Sequence, residues 1–174
     1  KYRTAKRLGV PVSEVGLGTW QLGADWGDVS AQAATEILGS AIDTGVTFLD
    51  TADVYGDGRS ERIIGRFLKS LPDEGRGIFV ATKLGRRGFP DDYSYENLKR
   101  WTEESIERLQ RPRLDLTQLH CIPPRHLEAG HVFDWLRKLK SDGLIKHFGA
   151  SVESMAEAHA CLKQEGLDSL QIIF

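Results

Sequence analysis

Sulfur is nearly absent from this chain: its 174 residues include two cysteines and one methionine. Cys121 and Cys161 lie far apart in apolar surroundings, so two reduced core thiols are expected and a disulfide-built scaffold is excluded. An excess of charge of one sign is lacking too. With 23 Lys+Arg against 25 Asp+Glu the formal net charge is −2, too little to gather nucleic acid or an anionic membrane surface. No apolar run approaches the ~20 residues of a membrane span, and no signal-peptide pattern opens the chain. A cytoplasmic setting without membrane or nucleic-acid partners is therefore the expectation. What is present, 40% hydrophobic and 28% charged residues, is ordinary for a globular protein. The length suits one core, so residues 1–174 are expected to form a single domain.

Apolar runs and helical periods alternate along the chain. Residues 2–4 and 10–13 flank Lys6-Arg7-Leu8-Gly9 and read as a small hairpin. Val15–Trp20 then reads as the first core strand. Ser30 is expected to cap a helix with Ala34, Ile37, Leu38, Ala41 and Ile42 on one face and Gly45 closing it. Thr47–Asp50 is the second strand, followed by a helix that Ser60 should cap, with the stripe Ile63, Ile64, Phe67 and Leu68. Ile78–Leu84 is the third. Ser94 caps the next helix, which carries Leu98, Ile106 and Leu109, with Glu104 and Arg108 as an exposed (i, i+4) pair. Strands at 114–121 and 147–152 follow, separated by a helix lined by Val132, Leu136 and Leu139 that Gly143 ends. Met155, Ala158 and Leu162 line the last helix, ending at Gly166, and Ser169–Phe174 is the last strand.

Strand–helix alternation at a period of ~30 residues demands a parallel sheet with right-handed crossovers. A doubly wound dinucleotide fold should carry G-x-G-x-x-G after its first strand and an acid ~20 residues later. Here the first turn reads Gly16-Leu17-Gly18-Thr19-Trp20-Gln21-Leu22-Gly23, with the third glycine displaced and Asp50 too far on. A (β/α)8 barrel fits instead, because its catalytic groups come from the C-terminal ends of several strands. Such a barrel has eight strands, and six are legible here besides the hairpin, so an incomplete barrel is expected. Its open edges are expected to be met by further chain, by a partner copy or by disorder.

Three consecutive strands each end in a titratable residue: Asp50, Lys83 and His120. Tyr55 follows Asp50 in the loop Thr51-Ala52-Asp53-Val54-Tyr55-Gly56. A carboxylate past an apolar run is costly to bury unless an opposite charge meets it, and Lys83 is the candidate. A phenol beside an ammonium becomes a better proton donor, and an imidazole from the next strand can hydrogen-bond a carbonyl oxygen. Together they suit protonation of an oxygen while something else attacks the carbon. No side chain delivers hydride, so a redox reading requires a cofactor.

On these residues the sequence resembles the aldo-keto reductases. The matching pieces are Gly18-Thr19-Trp20, Phe48 to Gly56, Ser60-Glu61-x-x-Ile64-Gly65, Ala81-Thr82-Lys83, Leu119-His120, Gly149-Ala150-Ser151 and Gln171, in the family's order along nearly the whole chain. The resemblance implies a (β/α)8 barrel that binds NADPH at the C-terminal mouth and reduces an aldehyde or ketone, or runs the reverse oxidation. It implies Tyr55 as proton donor, Lys83 lowering its pKa, Asp50 bridging to Lys83, and His120 orienting the carbonyl. Gly18, Thr19, Trp20, Asp50, Ser151 and Gln171 match positions at the cofactor's ribose or nicotinamide end. Many members have Asn after the serine, where Val152 stands here. The loops after strands seven and eight, with which the family grips the pyrophosphate and 2′-phosphate, have no counterpart, so this segment is expected to bind NADPH weakly or not at all. Two rival readings keep the same four residues: a non-catalytic cofactor-sensing subunit, and an inert segment that needs a further C-terminal part.

Other features carry less. His126, His131, His147 and His159 lack a metal site's spacing and read as surface or packing residues. Arg86-Arg87 and Asp91-Asp92 read as solvated loops, while Trp20 and Trp26 either wall the mouth or pack. The Tyr–Lys pair four apart of short-chain dehydrogenases is not met, because Arg59 stands at that offset from Tyr55 and does not lose its proton.

Overall fold

A computed structural model describes residues 1–23, 27, 29–86 and 92–173. Trp26, Arg87, Asp91 and Phe174, which entered the sequence reading, lie outside the described residues. The chain opens with an antiparallel hairpin, β1 (Tyr2–Ala5) against β2 (Val10–Ser13). Six parallel strands follow in sequential order: β3 (Leu17–Gly18), β4 (Phe48–Asp50), β5 (Phe79–Leu84), β6 (Leu114–His120), β7 (Ile145–Val152) and β8 (Ser169–Ile172). Between them run α1 (Ala31–Asp43), α2 (Arg59–Ser70), α3 (Tyr95–Leu109), α4 (Pro124–Ala129), α5 (His131–Ser141) and α6 (Met155–Leu162). The sheet curls into an incomplete (β/α)8 barrel with β3 and β8 at its edges. Among the described residues no helix is long and apolar enough to cross a membrane.

Two apolar cores hold this arc, one on each face. Successive strand residues point to opposite faces. Leu49, Val80, Leu84, Leu119, Phe148 and Ala150 therefore face the helices and join the larger core with Leu38, Ile64 and Leu136. On the inner face Leu8, from the hairpin turn, packs on Phe79, Ala81 and Leu116. The hairpin thus plugs the N-terminal end of the arc. Ser13 and Thr47 pin it there: each one's backbone N–H donates to the other's hydroxyl, at 2.9 Å both ways.

Ser30 and Ser94 cap α1 and α3 as expected, accepting from the backbone N–H of Ala33 and Asn97. Ser60 does not cap α2. That role falls to Gly58, whose left-handed φ of 76° turns the chain into the helix, and Ser60 sits buried in the first turn. The first core strand is shorter than its apolar run, because the chain leaves β3 for a 3-10 turn at Trp20–Gly23. Two helical stripes also differ. Ile37 is 43% exposed, and on α6 Met155 and Leu162 are 64% and 62% exposed while Ala158 and Cys161 are buried. Residues 124–129 form a helix with no counterpart in the sequence reading. α6 ends at Leu162, ahead of the Gly166 stop, and begins with a capping box between Ser154 and Glu157.

Candidate active site

Parallel register puts the candidate residues on one face. Gly18 pairs with Asp50, and Asp50 with Ala81. Lys83 lies two residues beyond Ala81 and so shares its face. Lys83 in turn pairs with Gln118, and His120 lies two beyond that. His120 pairs with Ser151, and Ser151 with Gln171. Asp50, Lys83, His120, Ser151 and Gln171 therefore all belong to the inner face, at the C-terminal ends of their strands.

The side chains meet as this parity requires. Lys83 Nζ, on a side chain 3% exposed, donates to Asp50 Oδ1 at 2.6 Å and to the carbonyl of Thr51 at 3.0 Å. The Tyr55 hydroxyl lies 3.4 Å from the same nitrogen, with the ammonium 5.2 Å from the centre of the phenol ring. A buried ammonium needs an opposing charge close by, and Asp50 supplies it. The His120 imidazole stands edge-on to the Tyr55 ring, 5.9 Å between centres. Burial, reinforced by the charges of Lys83 and Arg86, lowers the His120 pKa to about 3. The imidazole is then neutral at physiological pH, with one N–H and one lone pair. Its Nδ1 is buried without a partner among the described residues, which leaves Nε2 as the nitrogen able to donate to a bound oxygen.

Trp20 sits at the rim, 44% exposed, its ring 6.3 Å from that of Tyr55. Asp50, Gly18 and Gln171 border a hollow of about 420 Å³ on the inner face, and Ser151 and Gln171 border a smaller one of about 140 Å³ with Cys121. Among the described residues the Gln171 side chain has no partner, and Ser151 Oγ has only a 3.8 Å contact with Cys121 Sγ. A hydroxyl and a carboxamide on neighbouring strands, with spare hydrogen-bonding capacity, fit the amide end of a nicotinamide. Thr19 is used differently. It is 1% exposed, its hydroxyl donating to the Asp50 carbonyl at 2.8 Å and accepting from Ser60 at 2.9 Å.

Two buried polar networks behind the sheet escaped the sequence reading. Ser60 Oγ accepts from Thr51 at 2.9 Å and reaches Thr19, tying together the ends of β3 and β4. The next residue, Glu61, is fully buried. Its carboxylate accepts from Thr82 Oγ1 at 2.6 Å, Ser105 Oγ at 3.2 Å and Arg108 Nε at 2.6 Å. The Glu104–Arg108 pair is present at 3.4 Å, but Arg108 is largely buried and turned to Glu61. A polar Ser-Glu opening an otherwise apolar helix face was the available signal, since such groups are buried only with partners.

Cys121 continues the mouth beyond His120 in a left-handed conformation, φ 47°, and its thiol is pushed up by burial. Cys161 is fully buried; both thiols are free. His126 packs its ring on Tyr93 at 4.4 Å, and His147 Nδ1 lies 3.3 Å from Asp168.

The chain is similar to known proteins over most of its length. A model described as Aldo/keto reductase family matches residues 14–173. L-galactose dehydrogenase of Arabidopsis thaliana is 34% identical over 149 residues, covering 84% of this chain and 47% of that protein. Pyridoxal 4-dehydrogenase of Microbacterium luteolum is 29% identical over 206 residues, covering 95% of this chain and 59% of the other. An aldo-keto reductase of Bacillus halodurans, solved in its holo form, superposes with a TM-score of 0.85 at 28% identity, over 100% of this chain and 57% of that one. One from Klebsiella pneumoniae, solved in complex with NADPH, gives 0.76 at 26% identity, over 95% and 56%. The chain thus spans about half the length of the curated relatives it matches.

Proposed function

The chain belongs to the aldo/keto reductase family, and from that premise we propose that it supplies the proton-handling half of an NADPH-dependent reduction of an aldehyde or ketone. The observation that carries the proposal is the buried Asp50–Lys83 pair with the Tyr55 hydroxyl 3.4 Å from Lys83 Nζ.

In this reading a carbonyl oxygen sits between Tyr55 and His120. A nicotinamide, when bound, would supply the hydride that the carbonyl carbon needs. Tyr55 gives its phenolic proton to the oxygen, so that C=O becomes CH–OH and the phenol is left as phenolate. Lys83 stabilises that phenolate as charge develops, and Asp50 keeps Lys83 charged and aimed. His120, neutral, donates a hydrogen bond that holds the oxygen in line without competing as an acid. Ser151 and Gln171 would hold the nicotinamide amide, with Gly18 and Asp50 bordering the ribose end. The relatives are about twice as long, and the proposal extends to a further part of the whole protein that flanks β3 and β8 and grips the rest of the cofactor.

The test is turnover of NADPH at 340 nm by the whole protein against a panel of aldehydes and ketones. Turnover is expected for at least one, with Tyr55→Phe losing roughly 10²–10⁴-fold while still quenching on NADPH binding. Undiminished turnover in Tyr55→Phe refutes the proton-donor role. NADPH binding with no turnover of any carbonyl refutes the catalytic reading and favours a cofactor-sensing subunit.

A further inference from the structure

A second hollow lies at the opposite end of the barrel. It measures about 350 Å³, within the range of small-molecule sites. Its walls come from β2 of the hairpin, the turn before β5, the turn before β6, and the first residues of β5, β6 and β7. Of these, β5, β6 and β7 are inner strands of the six-stranded sheet, away from its edges at β3 and β8.

One side is apolar, with Val10 and Pro11 facing Ile78 and Phe79. The other is cationic. Arg111 is half-buried, and its Nη2 donates to the carbonyls of Gly75 and Ile78 at 3.2 and 3.3 Å. Its Nε is buried without a partner, and no carboxylate meets the guanidinium among the described residues. Arg76, exposed on the rim, makes no side-chain hydrogen bond or ion pair among the described residues, although its charge also acts on Glu74. The nearby acids are already engaged. Asp115 takes Lys146 at 2.5 Å through one oxygen and the backbone N–H of Val80 at 3.2 Å through the other. Glu74, beside Arg76 in sequence, is bound by Lys69 at 2.7 Å. With the Lys146–Asp115 pair neutral, two arginine charges remain over an apolar floor. A guanidinium held in place and lacking a counter-ion is a ready partner for a carboxylate, and desolvation by the apolar wall strengthens the attraction.

We propose that this hollow binds a small carboxylate bearing a compact apolar group, the carboxylate on Arg111 and Arg76 and the apolar part between Pro11 and Phe79. The site stands apart from the reductase chemistry and does not depend on it.

Sodium benzoate is a suitable probe, titrated into the ¹⁵N-labelled whole protein and followed by amide shifts. Saturable shifts at Gly77, Ile78 and Val80 are expected. Arg111→Gln and Arg76→Gln should each weaken the apparent affinity about tenfold, the loss of one charge-assisted hydrogen bond. Benzyl alcohol, of similar shape without the charge, should not saturate at the same concentrations. Should Arg111→Gln fail to fold, Arg76→Gln decides alone, because Arg76 is exposed and anchors nothing. The proposal is overturned if no saturable shift occurs, if benzoate shifts only Cys121 and Ser151 at the other end, if the folded arginine variants bind as tightly, or if benzyl alcohol binds as well as benzoate.

Discussion

The Thr82 hydroxyl donates to the Glu61 carboxylate at 2.6 Å on the outer face of β5, while on the inner face its neighbour Lys83 reaches Asp50 at the same distance. One strand end is therefore clamped from both sides, by α2 behind and by the candidate site in front. Arg108 and Ser105 complete the outer clamp.

Replacing Glu61 by Gln keeps an acceptor for Thr82 but leaves Arg108 as a largely buried cation with only Glu104 beside it. Breaking one side of a buried ion pair costs about 3–5 kcal/mol, and Glu104 should recover part of that. Urea unfolding of Glu61→Gln is expected to show a loss of about 3 kcal/mol. A change below about 0.5 kcal/mol, the size of a surface substitution, would mean the pair contributes nothing net.

His120 should make the fold acid-sensitive. Its pKa is lowered from 6.5 to about 3 in the native state, chiefly by burial. As pH falls below about 6.5 the unfolded chain takes up a proton that the native imidazole refuses, so stability declines until about pH 3. The slope approaches about 1.4 kcal/mol per pH unit for this one group. Relative to His120→Gln, the unsubstituted chain should lose about 1.3 kcal/mol more between pH 7 and pH 5.5. Identical pH dependence in the two proteins would contradict a neutral buried imidazole.

Gly65 lies where α2 approaches the end of α3 closely. A Cβ there would lie 2.3 Å from the Arg108 carbonyl oxygen and 2.7 Å from the Leu109 carbonyl carbon, backbone atoms that cannot rotate aside. Alanine would gain about 1 kcal/mol of helix propensity, whereas overpacking costs about 1–3 kcal/mol and here would also push on the Glu61–Arg108 pair. Gly65→Ala is expected to lower the melting temperature; a raised one would show that the helices can part freely.

The two thiols should differ in alkylation. Cys161 is fully buried, with its pKa raised to about 11 by burial, whereas Cys121 is half-buried at the mouth. Iodoacetamide at pH 8 should modify Cys121 slowly and Cys161 only on unfolding, as read by peptide mass. Ser151→Ala removes the one hydrogen bond that lowers the Cys121 thiol and should slow it further. Equal rates at both cysteines would contradict this burial pattern.

Much of the site could be read without coordinates. Asp50, Lys83 and His120 each end an apolar run, and in a parallel sheet that alone places them at one mouth; alternation then turns them to one face. The barrel class followed from the repeat of strand and helix, and α2's stripe Ile63, Ile64, Phe67 and Leu68 is buried as its period requires. Those are local properties, fixed by backbone geometry and short-range pattern.

Which groups would spend themselves inside the protein was decided only by tertiary contact. Ser60 carries a capping side chain, yet Thr19 and Thr51 claim its hydroxyl, from 41 and nine residues away. Arg108 looks like half of a surface pair, and Glu61, 47 residues earlier, draws it inward. Ile37, Met155 and Leu162 share the period of buried faces but stay substantially exposed. A helical period states which residues lie on the same side; only the packed neighbours determine whether that side is buried and which polar groups find partners there.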